Sequence, residues 1–187
     1  MILKKNFPPK RFKKHFITKF RDECSNTIGI FGIRLFLIHM EQQLHENFLR
    51  KAIHWARQGK ASKGGGAFGA VIVKDGIIIA EGHNSVGAST DCTQHAELAM
   101  IQQAYAKMRS KSLTGCILYT SCEPCLMCLG ATRWAELDAV YYGASAADAK
   151  EAGYIYSDLF YNSHSGKRHQ EFKLKQLLRD EAVAVWN

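Results

Sequence analysis

Proline is scarce in this sequence, with 3 Pro among 187 residues, and the 15 Gly are an ordinary number. Collagen-like and Pro/Gly-rich low-complexity proteins contain far more of both, so the composition excludes these classes. The sequence also lacks a long apolar run. Residues 28–38 are mostly apolar, but Arg34 interrupts them, and a membrane helix needs about 20 apolar residues. Because no small-residue cleavage site follows this run, we expect neither a membrane span nor a secretory signal.

What the sequence does contain suits one globular domain. Hydrophobic residues make up 47% of the chain and charged residues 22%, which is enough to build a core. Of the six cysteines, Cys122, Cys125 and Cys128 lie close together. This crowding favours a metal site over a disulfide framework, so we expect a cytoplasmic protein.

The positive charge is concentrated at the N-terminus. Residues 1–40 hold nine of the 25 Lys and Arg and two of the 17 Asp and Glu, a net charge of +7, while the rest carries only +1. We interpret residues 1–39 as a basic, poorly ordered and dispensable extension, with an arm for RNA or anionic lipid as the alternative. Residues 40–187 form the predicted domain. Its near-neutral charge argues against nucleic-acid binding.

Apolar periodicity predicts alternating helices and strands from residue 41 onward. The predicted helices cover residues 41–59, 95–109, 125–135 and 170–179, and the predicted strands cover residues 67–73, 77–80, 116–120 and 138–142. Lys74-Asp75-Gly76 is a hairpin signal between the first two strands. The order of elements predicts an α/β domain whose later strands are parallel, because helices connect them.

Two short segments at predicted helix starts contain residues suited to metal chemistry, His95-Ala96-Glu97 and Ser121 to Cys125. A catalytic zinc site uses three nitrogen or sulfur ligands and leaves one position for water. We assign the three ligands of one zinc ion per chain to His95, Cys122 and Cys125. Together the segments match the His-x-Glu…Pro-Cys-x-x-Cys signature of zinc deaminases. Glu97 is then the general base beside the zinc-bound water.

A structural zinc site is the alternative from a different functional class. Cys92 could join His95, Cys122 and Cys125 in a closed cage, which would make the protein a zinc-binding module without catalysis. Such a cage would leave the glutamate of the first segment without a role. We expect Cys128, one helical turn beyond Cys125, to pack in the core.

Residues 44–159 resemble the cytidine-deaminase-like superfamily and, within it, the bacterial guanine deaminases. The resemblance is carried by residues 68–76, 81–84, 95–97 and 119–131. Arg133-Trp134-Ala135 and the turn Ala152-Gly153-Tyr154 are similar to guanine deaminases, whereas tRNA adenosine deaminases differ at both places.

The resemblance implies a three-layer α/β/α fold with a mixed central sheet of about five strands. It implies a zinc-dependent hydrolase that converts guanine to xanthine and ammonia and acts as a homodimer on a small-molecule nucleobase. Asn84 would then hydrogen-bond the base and Phe68 would pack on its ring. Ile155 and Tyr156 replace an acidic pair of the family, so Asp158 would act as the second proton shuttle. The alternatives are a tRNA adenosine deaminase and a deaminase of free cytosine or a nucleoside.

Overall fold

A mixed sheet of five strands forms the centre of the structure, a computed structural model that describes residues 30–154 and 165–187. The chain divides into two units, Met1–Glu41 and Gln42–Asn187. The strands are β1 (Gly66–Lys74), β2 (Ile77–Asn84), β3 (Cys116–Cys122), β4 (Ala139–Ala144) and β5 (Leu174–Gln176). The helices are α1 (Ile30–Ala61), α2 (Ala96–Met108), α3 (Leu126–Trp134), α4 (Ala146–Glu151), α5 (Ser165–Glu171) and α6 (Arg179–Val183). In these described parts no helix combines the length and the apolar character that crossing a membrane requires.

The strand order is β2-β1-β3-β4-β5. Strand β1 is antiparallel to both of its neighbours, whereas β3, β4 and β5 run parallel. The β1–β2 turn has positive φ at Asp75 (50°) and Gly76 (78°), as a tight hairpin requires. The predicted mixed sheet, its hairpin and its parallel half are therefore confirmed.

Alternating strand residues separate two apolar cores, one on each face of the sheet. One core joins the sheet to α2 and α3 and contains Ile72, Met100, Leu118, Leu129 and Val140. The other joins it to the C-terminal part of α1 and to α6 and contains Leu49, Ile53, Val71, Tyr119, Tyr141 and Ala182. Helices thus cover both faces, which confirms the predicted three-layer α/β/α architecture.

The helix predicted over residues 170–179 is wrong. Lys173 and Leu178 both have a φ of 51°, which a continuous right-handed helix does not allow. Between them the chain is extended, and Leu174 is buried opposite Val140 of β4. The apolar spacing that resembles a helix therefore belongs to the end of one helix, an edge strand and the start of another helix.

Helix α1 begins at Ile30, eleven residues before the predicted start. The described part of the first unit, Ile30 to Glu41, is helical. The proposed boundary between residues 39 and 40 stays a prediction.

Candidate functional site

Three side chains of the types that bind metals converge at the N-termini of α2 and α3. His95 Nδ1 lies 3.6 Å from Cys125 Sγ and 3.7 Å from Cys128 Sγ. All three ligand atoms lie within 4.8 Å of one another. One imidazole nitrogen and two thiol sulfurs are the donor set of a catalytic zinc site, so the residues present fit zinc.

Local chain geometry explains why these three side chains meet. His95 and Cys125 are the N-cap residues of α2 and α3, and both have extended backbone conformations. Cys128 follows in the first turn of α3. The positive ends of two helix dipoles therefore point toward the site, where they favour thiolates over thiols.

Hydrogen bonds within the group favour one thiolate in particular. The hydrogen bond from Cys128 lowers the pKa of Cys125 to about 4, although burial opposes this shift. The same hydrogen bond, together with burial, raises the pKa of Cys128. The hydrogen bond with Cys125 also raises the pKa of His95, against the effect of burial. Cys125 is thus the sulfur most ready to bind a cation.

Glu97 lies beside this group in the interior, with 6% of its surface exposed. Its Oε1 accepts a hydrogen bond from Thr120 Oγ1 at 3.1 Å, and its Oε2 accepts one from Cys128 Sγ at 3.7 Å. Burial raises the pKa of Glu97, and hydrogen bonds to its carboxylate oppose this effect. A carboxyl group placed in this way can exchange protons with a reactant beside the sulfurs.

Cys122, predicted as a zinc ligand, is not a member of the group of three. It ends β3 and is buried, and its Sγ donates to the carbonyl oxygen of Ser145 at 3.9 Å. The prediction therefore paired the cysteines three residues too early, and the expectation that Cys128 packs only in the core is corrected with it. Pro124 was the available signal, because in the signature proline immediately precedes the first cysteine of the pair.

The structure does not support the closed four-ligand cage. Cys92 is exposed. Within residues 30–154 and 165–187, the group that could hold a metal ion consists of His95, Cys125 and Cys128 alone. Three ligands leave a coordination position for water, which suits catalysis.

A buried ion pair fixes the loop that precedes Cys125. The carboxylate of Glu123 accepts hydrogen bonds from Arg168 Nη2 at 2.8 Å, His169 Nε2 at 3.1 Å and the backbone N–H of Ala146 at 3.0 Å. The Glu123 and Arg168 side chains are 4% and 10% exposed. This contact connects α5 to the metal-site loop across 45 residues of sequence, and sequence reasoning missed it.

The predicted substrate contacts lie on β1 and β2. Asn84 ends β2 and its Oδ1 accepts a hydrogen bond from the Val86 backbone N–H at 3.0 Å. Phe68 on β1 is partly buried and packs edge-on against Tyr154, with ring centroids 4.7 Å apart. Asp158 lies outside the described residues. The substrate roles of all three stay predictions.

Comparison with known proteins relates the chain to deaminases. Residues 42–144 match the family described as the cytidine and deoxycytidylate deaminase zinc-binding region. The guanine deaminase of Bacillus subtilis (strain 168) is 54% identical over 110 residues, which cover 59% of this chain and 70% of that protein. The tRNA-specific adenosine deaminase of Aquifex aeolicus is 40% identical over 110 residues, covering 59% of this chain and 71% of that protein.

Solved structures point in the same direction. The X-ray structure of the guanine deaminase from Bacillus subtilis matches with a TM-score of 0.61 and 52% identity, covering 63% of this chain and 74% of that one. A structure of a guanine deaminase from Nitrosomonas europaea matches with a TM-score of 0.63 and 27% identity, covering 74% and 80% of the two chains.

Proposed function

The chain belongs to the cytidine and deoxycytidylate deaminase zinc-binding family, and we propose that it removes the amino group of guanine by hydrolysis, giving xanthine and ammonia. The observation that carries this proposal is the 54% identity to a guanine deaminase, against 40% to a tRNA-specific adenosine deaminase. The aromatic and glycine-containing segments near Trp134 and Tyr154 support the same substrate.

We propose that His95, Cys125 and Cys128 hold one zinc ion per chain. Their mutual distances and the lowered pKa of Cys125 support this ligand set. Zinc at such a site supplies a water molecule of lowered pKa that acts as the nucleophile. The cysteines must stay reduced to bind it, which favours the cytoplasm as the compartment.

We propose that Glu97 carries the protons of the reaction. It takes a proton from the attacking water and passes it to a ring nitrogen of guanine, which makes C2 electrophilic. The water oxygen bonds to C2. Glu97 then takes the remaining proton of this oxygen and delivers it to the exocyclic nitrogen. The bond from C2 to that nitrogen breaks, and ammonia leaves as the oxygen becomes the C2 carbonyl group of xanthine. The buried position of Glu97 beside the sulfurs supports this role.

The remaining assignments are proposals that rest on the resemblance. Asn84 would hydrogen-bond the base and Phe68 would contact its ring. Asp158 would act as the second proton shuttle by assisting Glu97 in the proton delivery to the departing amine. A homodimer is also proposed, with a small-molecule nucleobase as the partner in catalysis. The near-neutral charge of residues 41–187 favours a free base over a tRNA substrate.

The test is ammonia release from guanine, guanosine, adenine, cytosine, cytidine and a tRNA anticodon stem-loop. We expect guanine to give the highest kcat/KM. The control is Glu97→Gln, which keeps the shape of the side chain but cannot accept the proton, and it should lower turnover about 10²–10⁴-fold with zinc content unchanged. Higher kcat/KM on the stem-loop would establish the alternative, and equal activity of Glu97→Gln would refute the role of Glu97.

A further inference from the structure

The hydroxyl group of Thr120 contacts Glu97 from the central sheet. Thr120 lies on β3 between Ala70 of β1 and Tyr142 of β4, and its exposed fraction is 1%. Its Oγ1 donates to Glu97 Oε1 at 3.1 Å. Strand β3 is the central strand of the sheet and is paired on both sides, so the backbone that holds this donor is fixed by two neighbouring strands.

The Thr120 hydroxyl has one proton and two acceptors within reach. The second acceptor is the carbonyl oxygen of Cys122, also at 3.1 Å. A carboxylate is the stronger acceptor, because a charged group strengthens a hydrogen bond. The Thr120 proton is therefore directed to the carboxylate of Glu97 rather than to the carbonyl oxygen of Cys122.

The two oxygens of Glu97 consequently have different surroundings. Oε1 accepts its hydrogen bond from Thr120 on the sheet, whereas Oε2 accepts one from Cys128 Sγ at 3.7 Å, on the side of the candidate metal-binding group. A reacting water or base beside the sulfurs meets Oε2, and a carboxylate free to rotate would present either oxygen.

We infer that Thr120 is a positioning residue that fixes the carboxylate of Glu97, so that Oε1 stays toward the sheet and Oε2, on the side of Cys128, is the oxygen that transfers protons. The inference rests on the proposed function, since it takes Glu97 as the proton carrier. Filling space alone would not require a hydroxyl here, because valine has nearly the same shape.

The test uses Thr120→Val, which removes the hydroxyl, and Thr120→Ser, which keeps it. The matched control is Thr132→Val. Thr132 is also buried, at 3% exposure, but its Oγ1 donates to the Leu129 carbonyl oxygen. If the loss of one hydrogen bond to a charged group raises the reaction barrier by its full free energy, kcat falls by about 10- to 100-fold.

We expect Thr120→Val to lower kcat by about 10- to 100-fold with little change in KM and in zinc content. Thr120→Ser should stay within about threefold of the parent. Thr132→Val should keep the parent kcat and KM. Equal kcat for Thr120→Val and the parent would overturn the inference, and so would equal losses in Thr120→Val and Thr120→Ser.

A crystal structure of each variant provides a readout that does not depend on activity. We expect Glu97 to adopt a second carboxylate orientation in Thr120→Val and the parent orientation in Thr120→Ser. An unchanged single orientation in Thr120→Val would overturn the inference even if no base is deaminated. If the parent deaminates none of the bases but the variants show the expected Glu97 orientations, the result would count against the proposed function alone.

Discussion

Loss of the Arg168 side-chain charge is expected to destabilise the fold, because it leaves the carboxylate of Glu123 in the interior with fewer partners. The two side chains are 10% and 4% exposed and their ion pair spans 2.8 Å. Breaking a buried pair by removing one partner costs about 3–5 kcal/mol. His169 and the Ala146 N–H still contact Glu123, so we expect the lower limit, about 3 kcal/mol. For a chain of this size that corresponds to a fall in Tm of about 6–12 °C.

The assay is thermal unfolding of Arg168→Met with zinc in excess, followed by circular dichroism. Arg50→Met is the matched control, because Arg50 pairs with Glu181 on the surface, where the two side chains are 45% and 43% exposed, and such pairs contribute little. Adding Glu123→Gln to Arg168→Met should restore part of the lost Tm, since it removes the uncompensated charge. Similar Tm values for Arg168→Met and Arg50→Met would refute the reasoning.

Three further predictions concern the ligands, acid stability and the N-terminus. Cys128→Ser should lose most of its bound zinc in metal analysis while Cys122→Ser keeps one ion per chain, and the reverse result would restore the ligand set expected from the sequence. Burial raises the pKa of Asp148, but hydrogen bonds from Arg179 and Ser145 together lower it by more. The pKa of Asp148 therefore lies below its ordinary value. The stability that this carboxylate contributes is present above the pKa of the unfolded chain and is lost as pH falls through the lowered folded-state pKa. In urea unfolding from pH 7 to pH 3, the loss of unfolding free energy in Asp148→Asn relative to the parent should therefore shrink toward acid. A loss that stays constant with pH would contradict this. A chain that begins at Met40 should keep the parent's specific activity, and aggregation or loss of activity would show that residues 1–39 are not dispensable.

Local sequence patterns were sufficient to predict most of the sheet. Strands β1 and β3 are buried along most of their length, as their apolar runs predict. Asp75-Gly76 supplies the positive φ values that the hairpin needs. The starts of α2 and α3 were predicted because His95 follows a polar loop and Pro124 follows a strand. These features depend on neighbours in the sequence, so no tertiary information was required.

Other features depend on contacts that local patterns do not contain. Strand β5 exists because Leu174 pairs with β4, although its surroundings have the apolar spacing of a helix. Arg168 meets Glu123 across 45 residues, and Thr120 meets Glu97 across 23. The choice of Cys125 and Cys128 as the cysteine pair, by contrast, did not require tertiary information. The position of Pro124 directly before Cys125 was sufficient to identify Cys128 as its partner.

The most direct test of the central claim is reconstitution of metal-free protein with zinc, with guanine-dependent ammonia release measured at each step. Chelation should abolish activity, and zinc should restore it in proportion to occupancy, with saturation at one ion per chain held by His95, Cys125 and Cys128. Full guanine deamination by protein shown to contain no metal would contradict the account. So would restored zinc occupancy without any deamination of guanine.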